Sequence, residues 1–221
     1  MISFCTVCKG RLWQLKQTIF HNLNQLESDC ELVLLDYQSP DGLEEFIKTN
    51  FNNELKSGKL RCFKLLNDYN YSSPYAKNVV HKLAKGNILF NLDGDNFIQE
   101  GLIDVLRKLP KDTVLNGLPK GRPSDTGSFG RLGYHVNLFN SVCGYDEHLI
   151  GMGKGDDIDL IQRALKQGFK LKGIATELTH IKNNDDDKFK YVDVSGLEQH
   201  PLDYPNKWGV ADVENYIKSE V

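Results

Sequence analysis

Residues 87–97 read Asn-Ile-Leu-Phe-Asn-Leu-Asp-Gly-Asp-Asn-Phe, and the rest of the chain is arranged around them. The apolar run is rich in strand-forming residues, follows the helix stop Lys85-Gly86 and ends in Asp93-Gly94-Asp95. Side chains at positions i and i+2 lie on one side of an extended segment, and the glycine leaves room between the two acids. The segment therefore predicts a buried strand that carries two carboxylates at its carboxyl end.

The two carboxylates suit a hard divalent cation, because a metal that also binds a diphosphate needs only one or two protein carboxylates. Taken alone, Asp93-Gly94 is explained more simply as a turn after a strand, because Asp-x-Asp by itself is a weak signal of a site. The pattern argues against a calcium-binding helical hand, because the sixth position from Asp93 is Ile98 rather than glycine and the twelfth is not glutamate. Further acids and a histidine downstream favour a metal site.

Length and composition predict one soluble α/β domain. A chain of 221 residues is long enough to bury roughly 70% of its unfolded surface. The net charge of −3 and the pI near 6.1 provide no basic field for nucleic acid. No stretch approaches the ~20 apolar residues that span a bilayer, and the first residues resemble a strand rather than a signal peptide. We expect a cytoplasmic protein without a transmembrane segment, and peripheral membrane contact stays open.

The cysteines are expected to be reduced, buried thiols, because they are odd in number and mostly lie in apolar, strand-like runs. They are Cys5, Cys8, Cys30, Cys62 and Cys143. The first two have the spacing of a redox or zinc motif, but they lie on a predicted strand and no second pair completes four zinc ligands.

The first half of the chain alternates strands with helices. Predicted strands at 2–7, 31–36 and 60–66 each lead into an amphipathic helix, and Ser73-Pro74 is expected to cap and open the third. This order predicts a mostly parallel sheet flanked by helices, with ligands bound at the carboxyl ends of its strands. Candidate polar groups at that edge are Thr6, Asp36, Asp93 and Asp95. Neither dinucleotide-type nor P-loop glycines follow a strand, so phosphates need another counter-charge, which a metal on Asp95 would supply.

The second half changes character after Pro110. Residues 119–128 form a polar, Gly- and Pro-rich loop that is either a mobile lid or an ordinary exposed loop. Residues 130–139 alternate like a strand, and a dense block of glycines and acids fills 144–159 before a helix. Asp156 is expected near the N-cap of that helix, in a capping box with Asp159. Capping accounts for one or two of the acids, whereas repeated glycine lets the backbone approach a ligand closely.

Several of these motifs resemble known families. Phe4-Cys5-Thr6-Val7-Cys8-Lys9-Gly10-Arg11, Tyr75-Ala76-Lys77-Asn78 and Leu92-Asp93-Gly94-Asp95 resemble the family-2 glycosyltransferases of the GT-A fold. Gly144-Tyr145-Asp146-Glu147 and Gly155-Asp156-Asp157-Ile158-Asp159-Leu160 are similar to a C-terminal segment shared by galactosyltransferases and N-acetylgalactosaminyltransferases. The resemblance covers about Ile2 to His180. It implies one GT-A domain with a nucleotide-sugar half at 1–110, an acceptor and catalytic half at 111–190, and a C-terminal tail at 191–221 that packs on the core.

The resemblance also implies roles for individual residues. The base and ribose of a nucleotide-sugar donor would be surrounded by Thr6, Arg11, Asp36, Lys77 and Asn78, with Asp93 at the ribose or the metal. Mn²⁺ or Mg²⁺ would be bound by Asp95, Asp93 and His180, and imidazole favours Mn²⁺. The general base would be Asp157, and acceptor or donor-sugar contacts would come from Asp146, Met152 and Asp156.

The predicted function is metal-dependent transfer of a hexose, with a donor of the UDP-Gal, UDP-GalNAc or UDP-Glc type, to a glycan or glycolipid hydroxyl. Inversion at the sugar carbon is expected, with Asp157 as base; in a retaining enzyme Asp157 would orient the acceptor instead. Two alternatives stay open: a sugar-nucleotide nucleotidyltransferase, and a catalytically silent nucleotide- or glycan-binding module of the same fold. Lys77 stands where arginine is frequent in the family, and lysine is the weaker phosphate partner. Met152 and Lys154 stand where tryptophan is common, which points to a different acceptor.

Overall fold

The computed structural model describes residues 1–67, 70–117, 130–149, 155–174, 179–182, 190 and 204–217. In chain order its elements are β1 (Ile2–Cys8), α1 (Leu12–Gln25), β2 (Cys30–Asp36), α2 (Leu43–Asn50), α3 (Asn52–Ser57), β3 (Leu60–Leu65), α4 (Ser73–Leu83), β4 (Ile88–Asn91), α5 (Leu102–Arg107), β5 (Thr113–Asn116), β6 (Leu132–His135), α6 (Val136–Ser141), α7 (Asp156–Lys166), β7 (Lys170–Gly173) and β8 (Val213–Asn215). The predicted lid at 119–128, Met152, Lys154 and most of the tail lie outside the described residues.

One eight-stranded sheet has the order β7-β5-β6-β4-β1-β2-β3-β8. Its centre is parallel, since β1 pairs in parallel with both β2 and β4, and β2 with β3. Strand β6 is antiparallel to β4 and β5, and β8 is antiparallel to β3. The second half of the chain thus extends the same sheet, and the expected α/β architecture with a mostly parallel sheet is confirmed.

Each face of the sheet has its own apolar layer. Even-numbered residues of β1 and β2, such as Phe4 and Leu34, pack with α1, α2, α3 and α5. Odd-numbered residues of the same strands, such as Cys5 and Leu35, pack with α4. A third cluster joins Leu89 of β4 to β6, α6 and α7. This alternation means that residues next to each other at a strand end serve opposite faces.

The alternation also argues against a redox or zinc motif formed by Cys5 and Cys8. The two thiols fall in clusters on opposite faces of the sheet, and all five cysteines are free, four of them buried. Burial raises the pKa of the Cys8 thiol to about 12. The expectation of reduced, structural thiols is therefore confirmed. Among the described residues, no helix is both long and apolar enough to cross a membrane.

Three local predictions were wrong. The strand expected at 130–139 ends at His135, and α6 begins at once with Val136. Helix α4 begins at Ser73 and is preceded by Ser72, so the Ser73 hydroxyl is available for another partner. The N-cap of α7 is Gly155, with φ of 104°, and no capping box forms, because the Asp159 carboxylate accepts instead from Arg163 at 2.7 Å.

Candidate active site

The Asp93-Gly94-Asp95 turn is fastened to the carboxyl end of β1. The Thr6 hydroxyl donates to the carbonyl of Leu92 at 2.7 Å, and the Thr18 hydroxyl donates to the carbonyl of Gly94 at 2.6 Å. Thr6 is 1% exposed, so in this structure its polar group holds the turn in place. The strand end and the turn are thereby fixed relative to α1.

A lysine and two aspartates form the centre of the site. Lys77 Nζ lies 2.9 Å from Asp156 Oδ2 and 2.9 Å from Asp157 Oδ1. The Ser73 hydroxyl also donates to Asp156 Oδ2, at 3.2 Å. Asp156 is fully buried, whereas the Asp157 side chain is 14% exposed. Helix α4 thus supplies the donors and the first turn of α7 the acids, and only Asp157 of the two acids keeps access to a ligand.

Gly130 brings the two halves of the chain together. A β-carbon at this position would lie 3.1 Å from Asp93 Oδ2 and 3.1 Å from Asp157 Oδ2. The Asn91 amide donates to the Gly130 carbonyl at 2.8 Å and to Asp93 Oδ1 at 3.2 Å. The acid after β4 and the acid of α7 therefore approach the same glycine. Sequence reasoning did not identify Asn91 or Gly130 as site residues; the signal was a buried asparagine two positions before the first acid.

The balance between burial and the neighbouring charges raises the pKa values of both Asp157 and Lys77. Burial raises the pKa of Asp157 to about 7, Lys77 opposes that shift, and the charges of Asp156 and Asp93 add to it. Burial by itself would lower the pKa of Lys77, but its carboxylate neighbours raise it well above the ordinary value. Lys77 therefore stays charged, and Asp157 can gain or lose a proton near neutral pH, as a general base requires.

Asp95 belongs to a second group of contacts beside this cluster. The Asn96 amide donates to Asp95 Oδ1, and Arg131 Nε donates to Asn96 Oδ1. His180 forms an antiparallel bridge with Asn96. Burial lowers the pKa of Arg131 to about 10, and the nearby charges of Asp93 and Asp95 oppose that shift. The backbone of His180 thus lies beside the turn that carries Asp93 and Asp95.

No three His, Cys, Asp or Glu side chains in the described ranges are grouped closely enough to hold a metal ion. The donor set near the turn is one or two carboxylates, which is the set Mg²⁺ or Mn²⁺ uses when a ligand's phosphates complete the coordination. The residues present therefore fit a cation that arrives with a nucleotide and do not form a protein-only cage.

Other predicted donor contacts have internal partners. Asp36 accepts from the Ser39 amide at 2.6 Å and the Tyr216 hydroxyl at 2.7 Å, is 2% exposed, and continues the even-numbered face of β2, away from α4. Asn78, fully buried, bonds the main chain of Tyr145 and the Glu147 carboxylate. Both side chains are therefore engaged by other residues of the protein in this structure.

Two further predicted residues lie at the margins. Arg11 precedes α1, and its guanidinium is 3.5 Å from Gln14 Oε1. Asp146 accepts from the main-chain amide and the ring of His148, both at 3.0 Å. These particular contacts lie outside the group formed by Lys77, Asp156 and Asp157.

The C-terminal segment 204–217 crosses the molecule beside the site. The Trp208 ring packs against Phe139, the Gly209 amide donates to Glu147 at 2.8 Å, and β8 adds to the edge of β3 before Tyr216 contacts Asp36. The side chains of Trp208 and Tyr216 thus contact the protein, and the packing of the whole tail at 191–221 stays a prediction. The segment's hydrogen bonds to Glu147 and Asp36 were not anticipated from the sequence.

Solved glycosyltransferases share this fold. GalNAc-T7 with UDP, GalNAc and Mn²⁺ matches with a TM-score of 0.66 and 17% identity, over 83% of this chain and 44% of that one. A mannosyltransferase from Pyrobaculum calidifontis with GDP-Man and Mn²⁺ gives 0.64 and 12%, over 78% and 54%. TarS 1-349 from S. aureus with UDP-GlcNAc gives 0.64 and 13%, over 83% and 59%. The chain thus spans about half the length of these structures, and the predicted GT-A fold is confirmed.

The family assignment rests on the sequence itself. Residues 3–140 match the model described as glycosyl transferase family 2, which is more than half of the 221 residues. The chain belongs to that family. No curated protein sequence matches the chain significantly. The match ends before the Gly144–Leu160 block, so the similarity of that block to galactosyltransferases stays a prediction.

Proposed function

We propose that this chain transfers a hexose from a nucleotide sugar to a hydroxyl of a glycan or glycolipid acceptor, with inversion at the sugar carbon. The observation that carries the proposal is the approach of Asp157 and Asp93 to Gly130 from the two halves of the chain. A donor-side acid and a partly exposed base thereby face one space. The uridine nucleotides named for GalNAc-T7 and TarS support a UDP-sugar as the donor.

The reaction assigns a task to each residue of the cluster. Asp157 accepts the acceptor hydroxyl proton while that oxygen bonds to the sugar carbon and the bond from that carbon to the diphosphate oxygen breaks, its electron pair leaving with the diphosphate. Asp156 and Lys77 orient Asp157, and the lysine also lowers its pKa toward neutrality. Asp95 and Asp93, with His180 beside them, would hold Mn²⁺ or Mg²⁺, a Lewis acid that offsets the charge on the leaving diphosphate.

Calorimetric titration of UDP, with GDP and CDP for comparison and with or without Mn²⁺, tests the donor side. We expect Asp95→Asn to abolish metal-dependent nucleotide binding. We expect Asp157→Asn to preserve that binding and to lower turnover by about two to four orders of magnitude, the usual contribution of a general base. Asp159→Asn is the matched control on α7, because its carboxylate pairs with Arg163 outside the cluster.

Two results would reject the proposal. Equal loss of nucleotide binding in Asp95→Asn and Asp157→Asn would refute the division of roles. Failure of the unaltered chain to bind any of the three nucleotides would favour a silent module that keeps the fold.

A further inference from the structure

Arg131 is the most unusual charged residue in the described part of the chain. Its side chain is 0% exposed, although arginine is rarely buried completely without an ion-pair partner. No carboxylate in the described ranges pairs with it directly, and its Nη1 atom has no hydrogen-bond partner there. Burying a charged group this way is costly. The role of Arg131 is therefore sought in the two side-chain hydrogen bonds that it makes, to Asn96 and to Thr179.

The first hydrogen bond controls Asp95. Arg131 Nε donates to Asn96 Oδ1, and arginine has no acceptor atoms. The asparagine amide must therefore turn its oxygen toward the arginine and its NH₂ group away from it. That NH₂ group donates to Asp95 Oδ1. The arginine thus contributes, through one intermediate side chain, to the orientation of the Asp95 carboxylate.

The second hydrogen bond controls the segment that carries His180. Arg131 Nη2 donates to the Thr179 carbonyl at 2.7 Å, which also accepts from the Phe97 amide at 3.3 Å. The Ile181 amide donates to the Asp95 carbonyl at 2.8 Å. Residues 179–181 are therefore laid antiparallel along 95–97, with His180 opposite Asn96.

We propose that Arg131 is the positioning residue that assembles the Asp95–His180 part of the site, by orienting Asp95 through Asn96 and anchoring the His180 segment through Thr179. Its planar fork reaches both partners at a fixed angle, which a lysine ammonium cannot do. Its positive charge also interacts with the nearby acids Asp93 and Asp95. The assignment of Asp95 and His180 to a metal rests on the proposed function; the assembly itself does not.

Arg131→Lys tests the proposal, because it keeps the charge and removes the fork. Arg61→Lys is the matched control: Arg61 is also largely buried and also bonds one side chain, Glu31 at 3.2 Å, and one carbonyl, that of Leu83 at 2.8 Å. Hydrogen exchange at the Phe97 and Ile181 amides reports the assembly without any ligand. We expect exchange at both amides to accelerate at least tenfold in Arg131→Lys and to stay unchanged in Arg61→Lys. Unchanged protection in Arg131→Lys would overturn the proposal.

Metal affinity provides the second readout. With UDP present, the Mn²⁺ affinity, measured from the free-ion EPR signal, should fall by about 10- to 100-fold in Arg131→Lys, as for other residues that orient metal ligands. The Arg61→Lys variant should bind like the unaltered chain. Normal Mn²⁺ affinity in a folded Arg131→Lys variant would overturn the proposal. If the unaltered chain binds no Mn²⁺ with UDP, the proposed function fails, and the exchange measurement still decides the role of Arg131.

Discussion

At the scale of single residues, Gly130 is a position where one added carbon should disturb both acids of the site. A β-carbon there would meet two carboxylate oxygens at 3.1 Å, so Gly130→Ala must push Asp93 and Asp157 apart. We expect a cost of about 1–3 kcal/mol in the free energy of unfolding, typical of overpacking, and an altered pKa of Asp157. Chemical denaturation and carboxyl-carbon NMR measure the two effects.

Gly94→Ala is the control for this substitution. Its β-carbon would make only ordinary contacts, the nearest being Leu15 Cδ1 at 3.8 Å, although it lies between the two acids of the turn. We expect little change in unfolding free energy. Equal destabilisation by Gly130→Ala and Gly94→Ala would mean that the close contacts with Asp93 and Asp157 are not the reason that Gly130→Ala is destabilising.

The raised pKa of Asp157 predicts how stability depends on pH. The folded chain holds this proton up to about pH 7, whereas the unfolded chain releases it near 3.8. Between these values the folded state binds more protons, so stability is greatest at low pH and falls as the pH rises through the window. The contribution is of the order of a few kcal/mol. It should be missing in Asp157→Asn.

Denaturation of both proteins from pH 4 to 8 measures this difference directly. The comparison with Asp157→Asn is needed because burial also raises the pKa values of Asp36 and Glu147. Lys77→Gln should raise the pKa of Asp157 further, since the lysine opposes the shift. Parallel stability curves for the unaltered chain and Asp157→Asn would contradict the assignment.

At the scale of elements, sequence periodicity identified the βα units well and failed where one pattern changes into another. Leu132 and Tyr134 alternate as a strand requires, and Val136 and Leu138 continue that alternation by coincidence. Phe139 and Val142 break the strand pattern. They lie one and four residues after Leu138, on the face that a helix would bury, and all three are buried, Val142 directly after α6. The acids of the site were found because they follow strands or open a helix. Gly130 and Arg131 were not, since their roles depend on contacts between distant segments.

The C-terminal segment 204–217 yields an element-scale prediction. Among the described residues, the hydroxyl of Tyr216 is one of two hydrogen-bond donors to the buried Asp36 carboxylate, so Tyr216→Phe leaves an oxygen without that partner. We expect a loss of about 1–3 kcal/mol in unfolding free energy and a higher pKa for Asp36. Tyr204→Phe is the control in the same segment, because its hydroxyl makes a long, 3.4 Å contact with the Val142 carbonyl rather than a short bond to a buried carboxylate. Equal losses in the two variants would show that the hydrogen bond to Asp36 contributes no more to stability than the long contact of Tyr204.

At the scale of the whole molecule, the sheet joins the two halves that the sequence distinguished. Strand β6 of the second half lies between β4 and β5 of the sheet order, and the Lys77 ion pairs link α4 to α7. The site itself is completed only by residues from both halves. We therefore expect the two halves to unfold cooperatively. If they separated, β4 would lose its neighbour β6, and Lys77 would lose its two carboxylate partners.

The two tryptophans of the chain allow this to be tested. Trp13 lies in α1, and Trp208 packs on Phe139 near the end of the chain. Single-tryptophan variants, Trp13→Phe and Trp208→Phe, report unfolding from opposite ends of the sequence. Each variant's fluorescence should coincide with its own far-UV circular dichroism, because β8 and Tyr216 tie the last segment to β3 and the first core layer. An earlier fluorescence transition at Trp208 alone would show that the C-terminal segment detaches before the sheet unfolds, and that the wall of the site it supports opens independently.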